Sequence, residues 1–374
     1  MAAHATAEEL LERLGVDPAG ADANGDELQH NRWLSPGVWR IRTGNGQRAV
    51  LKYAQVGRAR GETAWDAHWT AGDLDPHRWT YWCREPLAYQ SDLPAAYAGS
   101  GIVAPACLAL GVSDTDAALL LEWVDGRPGE FWPVAWHRPA AEALGRAQAP
   151  FLTGRELPAA GWLTRSFLRE YSSEKPAPWE LLDDDETWAH PVVCENFPPG
   201  LREAVQLVHA SRERLYQISE SLPRTLCHLD FWPKNLIRRA DGQIVLLDWA
   251  FAGVGAIGED PGNLVPDSVF DHFIPASEMP DLEQAVFEGY LAGLRDAGWD
   301  DDPRLVRLGM WSSAVKYDWL AAFTLSQVSQ ERQYRYGGGG EVDAAFKFRE
   351  RSRALLFNAG WARQALDLAD DLGL

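Results

Sequence analysis

Hydrophobic and polar positions alternate with the period of strands early in the chain and with that of helices later on. From Val38 to Tyr53 the alternation runs around Gly44-Asn45-Gly46 and predicts a hairpin, with Trp39 and Ile41 on one face of its first strand and Ala49, Leu51 and Tyr53 on one face of its second. Lys52 falls with Val50 on the opposite face, where a lone lysine reads as one snorkelling from a strand edge. Asp75-Pro76 has the form of a helix start, and the helix it opens carries Trp79, Trp82 and Glu85 before Pro86 kinks or restarts it. Ala117 to Val124 is an apolar run that predicts a buried strand, ending Glu122-Trp123-Val124-Asp125-Gly126.

Helical spacing follows from His137 to Leu222, through Ala141, Leu144 and Ala147 and again through Leu201, Val205, Val208 and Leu215. Between these lies a polar stretch, Glu174 to Pro199, whose charge run Asp183-Asp184-Asp185-Glu186 reads first as a solvated face. Beyond Asp248 a glycine-spaced loop, Gly253 to Gly262, leads to helical segments Leu282 to Leu294, Leu305 to Val328 and Ala344 to Leu368. At the other end, Thr6-Ala7-Glu8-Glu9 forms a capping box before Leu10, Leu11 and Leu14, with Gly15 as the stop. Gly337 to Gly340 reads as a loop tip, because no strand precedes it and no lysine follows.

Composition narrows the function. A chain of 374 residues with 46% hydrophobic content can bury a full core, and its length favours two packed lobes. The net charge of −19 argues against a nucleic-acid partner, which would recruit clustered Lys and Arg. An acidic surface suits a cationic or neutral small molecule, but negative charge is also a common way of staying soluble, and that reading comes first. Four scattered cysteines without zinc spacing fit a reducing compartment, and no segment approaches the ~20 apolar residues of a membrane span, so a cytoplasmic protein is expected. The 18 tryptophans must serve mainly in packing.

The chemistry concentrates in His228-Leu229-Asp230-Phe231-Trp232-Pro233-Lys234-Asn235, followed across a short hairpin by Leu246-Leu247-Asp248-Trp249. One carboxylate on a loop can orient a hydroxyl, while an amide and a second carboxylate can hold a hard cation such as Mg²⁺. Each residue alone would also suit a turn. Their joint occurrence downstream of a strand lysine points to phosphoryl transfer, where a protein supplies mainly positioning and charge neutralisation.

The chain resembles the aminoglycoside phosphotransferase and choline kinase group, the small-molecule branch of the protein-kinase-like fold. The matching pieces are Ala49 to Lys52, Arg84-Glu85, the hinge near Glu122, Cys227 to Ile237, Val245 to Trp249 and Gly258-Glu259-Asp260-Pro261. Asp248-Trp249 in place of D-F-G, with no A-P-E, separates it from protein kinases. The resemblance implies an α+β bilobal fold with a small antiparallel-sheet N-lobe, residues 1–124, and a larger helical C-lobe, residues 125–374. It further implies ATP or GTP as phosphoryl donor, Mg²⁺, and a small-molecule hydroxyl acceptor. Lys52, paired with Glu85 or with Glu62, would position the nucleotide, and backbone groups at Glu122 and Val124 would bind its base. Ser35-Pro36-Gly37 is the best candidate for a phosphate-covering loop. Asp230 would face the acceptor hydroxyl as catalytic base, and Asn235 and Asp248 would hold the metal. Glu259 and Asp260 are candidate acceptor contacts. The acceptor expected is an aminoglycoside, amino sugar or nucleoside-type compound, with choline, homoserine or glucosamine kinases and a non-catalytic nucleotide binder as alternatives. Oligomeric state is not legible.

Overall fold

The computed structural model describes residues 9, 10, 12, 25–27, 37–42, 46–56, 74–334 and 340–374. These divide into two compact units. One takes the described residues up to Arg127 together with Ala159–Arg165 and Ile237–Ala252, and the other takes Pro128–Pro158, Ser166–Leu236 and Gly253–Leu374.

The first unit carries, up to Glu122, the strands β1 (Gly25–Glu27), β2 (Gly37–Arg42), β3 (Arg48–Gln55), β4 (Ile102–Val103), β5 (Cys107–Val112) and β6 (Asp116–Glu122). Five of them form an antiparallel sheet in the order β1-β2-β3-β6-β5. The expected hairpin is present, with Lys52 opposite Val38 on one side and Leu119 on the other. Trp39, Ile41, Ala49, Leu51 and Tyr53 share one buried face with Ala118, Leu120 and Leu10, so the period-two pattern has fixed which side meets the core. The capping box Thr6 to Glu8, Ser35-Pro36, Gly44-Asn45, Glu62 and Gly337 to Gly339 lie outside the described residues. Gly37 itself opens β2, where a side chain would collide with the Trp39 ring.

The helix expected from Asp75 is shorter and later. Asp75 instead caps a turn, accepting from the His77 N–H at 3.0 Å, and α1 runs only Arg84–Gln90. Starting there puts Pro86 in the first turn, where its missing N–H has no intrahelical partner to lose, whereas a helix continuous from Pro76 would carry it as an interior break.

The second unit is mainly helical: α2 (His137–Leu152), α3 (Phe167–Ser173), α4 (Leu201–Ala210), α5 (Arg212–Ser221), α6 (Glu259–Phe270), α7 (Met279–Asp296), α8 (Pro303–Ser312), α9 (Asp318–Leu325) and α10 (Ala344–Leu372). The run expected from Leu305 to Val328 is interrupted by a 3₁₀ turn at Ser313–Tyr317. Glycines let α2 and α7 touch backbone to backbone: a Cβ on Gly293 would lie 1.9 Å from the Glu142 carbonyl oxygen. Part of the loop expected at Gly253 is a strand. With β7 as Arg224–Cys227 and β8 as Ile244–Leu246, this β9 (Gly253–Ala256) pairs antiparallel with β7. In the first unit β8 runs parallel to β4, a pairing with no trace in local sequence pattern. Trp319 and Trp361 are buried and the Trp311 indole donates to Glu283 at 2.9 Å, in keeping with packing roles. The four cysteines are free thiols. Among the described residues no helix is long and apolar enough to cross a membrane.

Candidate active site

In the first unit the sheet and α1 bring Lys52 to Glu85. The ammonium lies 2.5 Å from a Glu85 carboxylate oxygen and 3.2 Å from Asp248 Oδ1. Lys52 and Glu85 are largely buried, with side chains 13% and 6% exposed, whereas Asp248 is 41% exposed. Burial alone would push the lysine down, but Asp248 and Glu85 outweigh it and hold the ammonium above its ordinary range. Burial lifts the Glu85 carboxyl, and Lys52 pulls it back. A small cleft opens beside the trio, lined by Lys52, Ala54, Trp82, Glu85, Pro86, Ala117, Leu119 and Ala250.

Two supports fix this arrangement. Asp248 holds a left-handed backbone, φ 60°, unusual for a residue with a side chain. Just beyond it the Ala250 carbonyl accepts from the buried Arg84 guanidinium at 3.0 Å, and Arg84 also donates to the carbonyls of Trp79 and Trp162 at 2.8 Å each. Arg84 therefore ties Glu85's helix to the turn that presents Asp248.

At the end of β6 the residues expected to form the hinge divide their backbone groups. The Glu122 N–H is used within the fold, donating to the Ala106 carbonyl at 2.9 Å, and the Glu122 carboxylate pairs with Arg239. Among the described residues the Val124 N–H donates to no backbone carbonyl. Asp125 is taken up by Arg48 and by the Trp123 indole, 3.0 Å away.

In the second unit the loop after β7 carries Asp230 and Asn235. The Asn235 amide donates to Asp230 Oδ2 at 2.7 Å and to the Asp230 carbonyl at 3.0 Å, so the spacing of five residues closes the loop on itself. The loop depends on a residue whose role the sequence did not disclose. Asp260, wholly buried on α6, accepts from the His228 N–H at 2.9 Å, the Leu229 N–H at 2.7 Å and Gln148 Nε2 at 2.7 Å. Leu229 has φ 66°, which exposes its N–H to this carboxylate. Burial pushes Asp260 up to about 7 against those hydrogen bonds. Glu259 likewise turns inward, accepting from the Ala256 N–H at 2.9 Å. Both were expected as acceptor contacts and both are buried, with each oxygen of Asp260 accepting from a backbone N–H. The acidic run is also engaged locally, with Asp184 capping Thr187 and Asp185 pairing with Arg202 at 2.7 Å.

Each of the two residues expected to hold Mg²⁺ suits it by type. Asp248 offers a half-exposed carboxylate, and Asn235, having committed its N–H group to Asp230, keeps its amide oxygen as acceptor. Among the described residues no three His, Cys, Asp or Glu side chains cluster as they would to hold a metal ion.

The model of the phosphotransferase enzyme family matches residues 29–300. A search of curated proteins gives no significant match. Among solved structures, an amicoumacin kinase, hAmiN, in complex with AMP-PNP, Ca²⁺ and Ami, is 14% identical, with 89% of this chain covering 88% of that one at a TM-score of 0.52. The aminoglycoside phosphotransferase APH(3'')-Id from Streptomyces rimosus is 17% identical over 80% of this chain and 95% of that one, TM-score 0.43. A choline kinase from Cryptosporidium parvum is 11% identical over 93% and 90%, TM-score 0.46. The family match bears out the small-molecule kinase class, and the first of these structures bears out the protein-kinase-like α+β fold.

Proposed function

Because the chain belongs to the phosphotransferase enzyme family, we propose that it transfers the terminal phosphoryl group of ATP to a hydroxyl of an aminoglycoside, amino-sugar or nucleoside-type compound. The observation that carries this reading is Asp230, held at both its carboxylate and its carbonyl by the Asn235 amide. A carboxylate fixed in this way can accept the acceptor's hydroxyl proton as the oxygen attacks. ATP as donor is supported by the AMP-PNP found in the similar amicoumacin kinase.

The other residues supply position and charge. Lys52, kept charged by Glu85 and Asp248, grips the nucleotide phosphates. The Glu122 carbonyl and Val124 N–H are the hinge groups for the base. Asn235 and Asp248 are the proposed ligands of Mg²⁺, which when bound neutralises phosphate charge. Four free thiols are in keeping with a reducing cytoplasm.

The test is ADP release from ATP and Mg²⁺ across aminoglycosides, amino sugars, nucleosides, choline and homoserine. At least one of the first three classes should give turnover, and Asp230→Asn should lower it by about 10²–10⁴ while calorimetric nucleotide binding persists. A flat response across the panel with nucleotide bound would favour a non-catalytic binding protein.

A further inference from the structure

In the second unit two lysines are buried against aromatic faces. Lys175 is 2% exposed and Lys316 5%. The Lys175 ammonium lies 4.1 Å from the ring centre of Tyr171 and 4.8 Å from that of Trp319. The Lys316 ammonium lies 5.1 Å from Tyr171, 5.4 Å from Phe167 and 5.7 Å from Tyr317. Tyr171 thus serves both cations. The rings are braced: Phe167 and Tyr171 sit one turn apart on α3 with centroids 5.2 Å apart, and Tyr317 meets Phe270 at 5.1 Å.

This cluster adjoins the catalytic loop. The Tyr317 hydroxyl donates to Asn263 Oδ1 at 3.3 Å, and Asn263 Nδ2 donates to the carbonyl of Phe231, the residue after Asp230, also at 3.3 Å. Asp230 is near enough to Lys175 for its charge to act on the ammonium. Faces of several rings converging on a buried cation are the arrangement that recognises small alkylammonium groups, because each ring quadrupole attracts positive charge. Here the cations are tethered to the chain. Of the neighbouring carboxylates, Glu259 and Asp260 accept from backbone N–H groups, Asp267 lies 4.0 Å from Lys316, and Asp267 and Asp230 both attract the Lys175 ammonium.

We propose that the aromatic cluster beside the catalytic loop is an ammonium site filled from within by Lys175 and Lys316, so that this chain phosphorylates hydroxyl compounds lacking a compact alkylammonium head group and rejects those of choline or ethanolamine type. The substrate part rests on the phosphotransferase reading above, whereas the site itself does not.

Lys175→Ala removes the equivalent of propylammonium from the cage. The tests are thermal unfolding with n-propylammonium, with 1-propanol as the uncharged isostere, and ADP release with choline and ethanolamine. In Lys175→Ala, saturating propylammonium should raise Tm by about 1–3 °C and propanol should not. The wild type and Lys175→Met, whose cages are full, should not respond to either. Lys316→Ala opens the same cage from the other side of Tyr171 and gives a second reading should Lys175→Ala fail to fold. Choline and ethanolamine should give no ADP above background. An alanine variant indifferent to propylammonium, or equally responsive to propanol, would overturn the ammonium site. Turnover of choline by the wild type would overturn the substrate exclusion. Because thermal shift does not require turnover, failure of the phosphotransferase reading would appear separately, as a flat ADP response to every acceptor.

Discussion

Lys52 and Lys175 are the same side chain, both withdrawn from water, and their charges are held in opposite ways. Lys52 is gripped by two carboxylates and sits above its ordinary pKa. Lys175 is packed against the faces of Tyr171 and Trp319 and sits well below it, first because burial disfavours the ammonium and then because Lys316 repels it. At Lys175 the attraction of Asp267 and Asp230 does not offset burial and the repulsion of Lys316, whereas at Lys52 Asp248 and Glu85 outweigh burial. The first arrangement makes a permanent charge suited to gripping phosphates. The second uses a lysine to occupy space and complete a wall.

Removing the charge should therefore separate the two sites. Lys52→Met takes away the cation proposed to stabilise the transferring phosphoryl group, and turnover should fall by about 10²–10³. Lys175→Met should leave turnover on a neutral acceptor close to that of the wild type. Steady-state kinetics on both variants decides the matter: equal losses would place both lysines in one electrostatic unit and break the comparison. Stability should diverge in the same sense. Lys52→Met leaves Glu85 buried without its counter-charge and should cost about 3 kcal/mol in urea unfolding. In Lys175→Met the thioether can meet the same rings, so the loss should be smaller.

Asp260 offers a smaller test in the second unit. Its oxygens accept from two consecutive backbone N–H groups and from Gln148, and an amide in its place would turn a donor towards donors. Asp260→Asn should destabilise by about 1–3 kcal/mol. It should lower kcat with little change in KM for ATP, because the residue acts on the loop that presents Asp230. An unchanged kcat would show that the Asn235 contacts alone position Asp230.

What the sequence disclosed follows the range of the interactions. The Asp230–Asn235 contact spans five residues, so its spacing is written locally, and the β2–β3 hairpin and the buried face around Trp39 and Leu51 follow from period-two alternation over a short stretch. Glu85 was legible as a partner for Lys52 although its helix begins later than its start signal suggested, because Pro86 sets where a helix can run. The role of Asp260 was not legible, since its two backbone donors lie 31 and 32 residues away and carry no side-chain identity, and Gln148 lies 112 residues away. The cage was hidden for a related reason. Lys175 stands in a polar, proline-bearing stretch, and the rings against it come from α3 and α9.

The two lysines should also differ in the pH dependence of stability. A lysine with a depressed folded pKa binds fewer protons folded than unfolded between that value and 10.5, so unfolding free energy rises with pH across the window. Lys52 has the opposite sign: its contribution is complete below 10.5 and is lost only as pH climbs through its raised folded value. Between pH 8 and 10 the stability difference between wild type and Lys175→Met should therefore shift in favour of the wild type, by at most about 1.4 kcal/mol per pH unit. The difference between wild type and Lys52→Met should stay level over the same range. Urea unfolding at pH 8, 9 and 10 measures both. A level Lys175 difference would mean that a carboxylate, Asp267 or Asp230, holds that ammonium as firmly as Glu85 holds Lys52, and the distinction between the two lysines would then be one of position alone.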